Sequence, residues 1–208
     1  MASSDKILVN RAPVLTLWAA VVAERLGHAH DAALTLGKAV AGLNAQSKGR
    51  RLGIFEAPEF KAEPGKAKPA PAKPADTVLL LGRAVAVSKT PEGVRAVVKG
   101  KPESATAVRR YLDQKFGDDL GAVTRALTAL AEAVPPQELD AEAYALYEQF
   151  RPEIPEGVKG WGAKGVLDLG RIRRLVDRQG TGRRGGTPQS GRSRSRRGAA
   201  PGTSWCRR

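Results

Sequence analysis

Two clusters in the body of this 208-residue chain have side chains whose types and spacing can do chemistry. The first is Lys48-Gly49-Arg50-Arg51, preceded by Asn44, Gln46 and Ser47 and, further back, by Lys38. Cationic and amide side chains of this kind contact phosphates and base edges. The second is the glycine-rich stretch Gly157 to Gly165, with Lys159, Gly160, Trp161, Gly162 and Lys164 inside it. Backbone amides and ammonium groups there can cradle a phosphate, with the indole as a stacking surface. Each cluster also has a plain structural reading. Cations at a helix C-terminus are favoured by the macrodipole, and a Gly-Trp-Gly loop more often anchors its indole on a core. The loop matches neither a P-loop ending nor the dinucleotide fingerprint.

A third cluster lies in the tail, where Arg192, Arg194, Arg196 and Arg197 alternate with serine and glycine. This segment resembles the Arg-Ser and Arg-Gly segments of RNA-binding proteins, and also a basic nuclear-import signal. A solubilising tail is one plain alternative. Another is a shifted reading frame after about Arg178, because the change to Arg, Gly, Ser, Pro and Ala is abrupt and brings a stray Trp205 and Cys206.

Catalytic and metal chemistry find little support. His28 and His30 are the only histidines, with no cysteine or fitting carboxylate near them in sequence, so no metal site and no cofactor are expected. No Gly-x-Ser-x-Gly motif occurs, and the sole cysteine, Cys206, is in the tail. One cysteine also excludes a disulfide within the molecule. Paired acids such as Asp118-Asp119 read as surface residues.

The elements that must position these clusters follow from apolar periodicity. Pro13 opens a helix on which Val14, Leu17, Trp18, Val21 and Val22 form one face, stopping at Gly27. Asp31 can cap a second helix to about Ser47, with Leu36, Val40 and Leu43 on one face and a stripe of Ala33, Gly37, Ala41 and Ala45 that admits another backbone closely. The pair resembles a helix-turn-helix. Short strands at Ile7–Val9 and Leu52–Phe55 flank it, and their pairing would make residues 5–58 a compact unit. Residues 59–76 contain a Pro/Ala/Lys-rich linker or loop. In 77–178, Thr77–Val87 and Val94–Val98 suggest a β-hairpin about a turn at 89–93. Helices are expected at Glu103–Phe116, Leu120–Val134 and Glu138–Phe150, then a loop over 151–170 leading into a last helix at Leu167 to about Val176. From Gln179 on there is no Val, Ile, Leu, Met, Phe or Tyr, so 179–208 is expected to be disordered. The fold class is therefore α+β and predominantly helical: an N-terminal helical hairpin, a β-hairpin, three to four helices and an Arg/Gly/Ser-rich tail.

Charge is distributed unevenly along this plan. Residues 37–101 hold thirteen basic and five acidic side chains, net +8, and 103–157 hold five basic and eleven acidic, net −6. The tail from Arg171 holds twelve arginines against one acid. The basic part suits a polyanion, and the acidic helices suit a basic protein partner or the molecule's own basic half. The longest apolar run, Val14–Ala23, is too short to span a bilayer, and the acid Asp5 before it argues against a cleaved signal. The reading is a non-enzymatic nucleic-acid-binding protein, DNA more than RNA, acting inside the cell: in the cytoplasm or nucleoid, or in the nucleus of a eukaryote. The alternatives are a protein-interaction or assembly module, and an enzyme or binder for a phosphate-bearing ligand at Gly157–Gly165.

Overall fold

The computed structural model describes residues 5–51, 76–158 and 163–181. In chain order the elements are β1 (Lys6–Asn10), α1 (Arg11–Arg25), α2 (His30–Arg51), β2 (Asp76–Leu80), β3 (Arg83–Thr90), β4 (Gly93–Val98), β5 (Lys101–Pro102), α3 (Ala105–Phe116), α4 (Leu120–Ala133), α5 (Pro136–Phe150), β6 (Lys164–Asp168) and α6 (Leu169–Thr181). The fold is α+β and mostly helical, with two small antiparallel sheets.

α1 is the centre of the molecule. The periodicity of its larger side chains predicts one buried face, yet every residue from Pro13 to Ala23 is buried. The reason is visible in its composition: Ala19, Ala20 and Ala23 fill positions between the larger apolar side chains, so the middle of this helix has no charged side, and a helix apolar all round is enclosed. α2 covers one side, and α4 and α5 cover others. Trp18, with 0% exposure, donates its indole N–H to the Ala143 carbonyl of α5 at 2.8 Å and meets the Phe150 ring edge-on at 5.4 Å. Burying an indole is worth roughly 4–6 kcal/mol of transfer free energy, from about 150–250 Å² at about 25 cal/mol per Å². Tyr147 of α5 donates its hydroxyl to the Arg11 carbonyl at 3.1 Å, and burial pushes its phenol far above the ordinary range.

The small-residue stripe on α2 is used within the chain. Gly37 sits directly on α1, close enough that a Cβ there would stand 2.3 Å from the Thr16 carbonyl oxygen. On the other side of α2, the Thr35 hydroxyl accepts the Ala96 amide of β4 at 3.1 Å and donates to Ala32 O at 2.8 Å. One hydrophobic cluster contains residues from both sides of the Pro/Ala/Lys-rich segment.

The strands depart from expectation at several points. Thr77–Val87 is two strands, not one, because Leu81 (φ 50°) and Gly82 (φ 67°) make a two-residue turn between Leu80 and Arg83. Both central residues of such a turn need positive φ, and leucine gives no sequence signal for it. A second such turn, at Lys99 (φ 53°) and Gly100 (φ 78°), folds the short, unexpected β5 back on β4, and the four strands form a meander in the order β2-β3-β4-β5. Another departure is β1, whose expected partner, Leu52–Phe55, lies outside the described residues. β1 pairs instead with β6, Ile7 opposite Leu167 and Val9 opposite Gly165. β6 lies where a loop was expected, and α6 begins at Leu169 rather than Leu167.

Candidate functional site

The basic end of α2 and the β2–β3 turn meet at Asn44. Its Oδ1 accepts from the Arg83 guanidinium at 3.5 Å and from the Tyr144 hydroxyl of α5 at 3.3 Å. Asn44, Lys48 and Arg51 are spaced i, i+4, i+7 and so share a helix face, which is the face turned toward Arg83 and Tyr144. Gln46, Lys48, Arg50 and Arg51 are exposed. Among the described residues none of Lys48, Arg50, Arg51 and Arg83 has a carboxylate within ion-pair distance, which also holds for Arg25, Lys99, Lys101, Arg110, Lys115 and Arg125, whereas Lys89, Arg95, Arg109, Arg151, Arg171, Arg173 and Arg174 are each paired with one. The acidic helices therefore leave this cluster's charge uncompensated.

The first half of α2 is not available in the same way. Residues Ala32 to Gly37 are buried, and Asp31 is held by Arg95 at 3.2 Å and Arg109 at 3.0 Å. Lys38, expected among the nucleic-acid contacts, lies over the Tyr111 ring with its ammonium 3.6 Å from the centroid. Desolvation by burial lowers its pKa, with Glu103 acting in the opposite sense. It is a cation held by an aromatic ring inside the molecule's own surface. Where a helix-turn-helix offers base-reading residues at the start of its second helix, this chain packs that segment against α1 and β4. The exposed cations of α2 are at its far end.

Arg83 and Tyr144 were not among the sequence candidates. They lie 39 and 100 positions from Asn44, and only the folded chain brings them together.

Of the glycine-rich stretch, Lys159, Gly160, Trp161 and Gly162 lie outside the described residues, as do Arg192, Arg194, Arg196 and Arg197. Lys164 is exposed at the start of β6 opposite Asn10. Gly165 has a structural role: a Cβ there would stand 2.7 Å from Glu153 O, where the segment after α5 bonds to Val166 in both directions. His30 Nδ1 lies 2.6 Å from Glu24 Oε1 on the surface. Among the described residues no three His, Cys, Asp or Glu side chains are grouped to hold a metal ion, and no helix is long and apolar enough to cross a membrane.

No protein-family model, no curated protein and no solved structure gives a significant match to the chain.

Proposed function

We propose that this is a non-enzymatic nucleic-acid-binding protein, with DNA as the first ligand to test, and that it makes contact through the C-terminal end of α2. The observation that carries the reading is the group Lys48, Arg50, Arg51 and Arg83, three of them exposed and none with a carboxylate partner among the described residues. Clustered cations of this kind find phosphate oxygens, and release of counterions supplies the affinity. Because the start of α2 is engaged inside the fold, contact at the α2 end is with the phosphate backbone rather than by a helix laid into a groove. The lysines of the neighbouring Pro/Ala/Lys-rich segment and the tail arginines would add to the same non-specific attraction.

The test compares full chains binding a fluorescent oligonucleotide across a salt series. The variants are Lys48→Ala/Arg50→Ala/Arg51→Ala and Arg192→Ala/Arg194→Ala/Arg196→Ala/Arg197→Ala. The triple variant is expected to lower the salt slope on duplex DNA by about 0.9 for each phosphate that the three cations neutralise. If the tail variant abolishes binding and the triple variant leaves it unchanged, the body is not the binder.

A further inference from the structure

Beside Asn44, the β2–β3 turn and α5 enclose an open cleft of about 480 Å³, lined by Leu79, Leu81, Gly82, Arg83, Asp140, Ala141 and Tyr144. Its walls are chemically mixed in a particular way. Leu79 is 61% exposed and stands at the cleft with the half-buried Tyr144. Among the described residues the Arg83 guanidinium has only the Asn44 amide oxygen for a partner, although Asp140 lines the same cleft. Asp140 accepts the Leu81 amide at 2.9 Å, a bond that holds the left-handed Leu81 in place, and its carboxylate stays part of the cleft wall. Tyr144 is likewise fixed, its hydroxyl tied to Asn44.

A flat apolar group bounded by anionic groups suits these walls. Paired bases in a duplex are stacked on both sides and cannot enter a cleft, whereas unpaired bases can stack on aromatic and guanidinium planes. We infer that this cleft takes one unpaired base of a single-stranded nucleic acid, against Tyr144 and Leu79, with the flanking phosphates on Arg83, Lys48 and Arg51. The inference rests on the nucleic-acid reading above and adds the strandedness of the ligand and the residues that sense it.

The experiment measures binding of the full chain to a fluorescent ten-nucleotide oligo-dT and to a hairpin duplex at matched salt. The variants are Tyr144→Leu, Leu79→Asp on the exposed leucine, and the triple alanine variant of Lys48, Arg50 and Arg51. Oligo-dT is expected to bind more tightly than the duplex. Both cleft variants should weaken oligo-dT about tenfold, the usual cost of unstacking one base from an aromatic ring, and change duplex affinity less than about twofold. Unchanged oligo-dT binding in Leu79→Asp and Tyr144→Leu, together with weakened binding in the triple variant, would overturn the cleft while leaving the phosphate surface standing. Unchanged binding in all three, or no binding of either oligonucleotide, would overturn both.

Discussion

Gly37 of α2 rests on the Thr16 carbonyl of α1 with no room for a methyl group between them. The nearest atoms are backbone, 2.3 Å to Thr16 O and 2.9 Å to Ala20 N from the position a Cβ would take, so the two helices would have to separate. Gly37→Ala is therefore expected to destabilise the chain by about 2–3 kcal/mol, in the range of overpacked cores. Gly42, on the same helix, has open space around it. Gly42→Ala should stabilise by up to about 1 kcal/mol through helix propensity alone. Opposite shifts of the urea midpoint in the two variants are the check.

Trp18 supplies both volume and a hydrogen bond between α1 and α5. Trp18→Phe keeps much of the ring but leaves a void and removes the donor, and is expected to cost about 2–4 kcal/mol. Trp18→Ala should prevent a cooperative unfolding transition, which circular dichroism against temperature will show.

Arg95 is 6% exposed and is neutralised by Asp31 at 3.2 Å and Glu92 at 3.8 Å. Asp31 also holds the exposed Arg109 at 3.0 Å. Removing the acid leaves a buried guanidinium short of charge, while removing Arg109 breaks only a surface pair. Asp31→Ala is thus expected to cost about 1–2 kcal/mol, discounted for the half-exposed carboxylate, and Arg109→Ala less than about 0.5 kcal/mol. Equal losses in the two variants would mean that Arg95 does not depend on Asp31.

Asp168 ends β6 and caps α6, its Oδ1 accepting the Arg171 amide at 3.2 Å. Desolvation by burial raises its pKa, but the amides of Arg171 and Gly170 and the Arg174 guanidinium outweigh that and hold it below the ordinary carboxylate value. A depressed pKa contributes stability that is full above the unfolded-state value and lost as pH falls through the folded one. Asp168→Asn should therefore be less stable than the parent at pH 7, with the difference shrinking as the pH is lowered through and below the unfolded carboxylate value of about 3.9. Denaturant midpoints at several pH values give the comparison.

Helix positions were legible from apolar spacing, their ends only where a stop residue stands: α2 runs to Arg51 rather than Ser47, and α6 to Thr181 rather than Val176, so 179–181 are helix rather than tail. Gly117 and the Pro135-Pro136 pair end α3 and α4 at or within a residue of where the sequence places the ends. What could not be read was non-local. β6 is five residues beside a glycine-rich stretch, and its pairing with β1 is set by register across most of the chain. The Leu81 turn was hidden because its leucine is held at positive φ by tertiary contacts, burial and Asp140, not by local preference. Of the candidate interface, Asn44, Lys48, Arg50 and Arg51 were visible as charge and amide at a helix end. Their neighbours Arg83 and Tyr144 were not, since neither lies in a basic run. Nothing local in the sequence announces the Tyr111 ring beneath Lys38.

The pairing of β1 with β6 sets a timetable for the nascent protein. Lys6 cannot meet Asp168 until about 160 further residues have been made, a delay of roughly 8–30 s at about 5–20 residues per second. For most of that interval α1 has emerged without α4 and α5, so the sides they cover wait exposed. Completion of the sheet is a late step that the ribosome paces, and the waiting α1 helix is the segment a chaperone would be expected to hold.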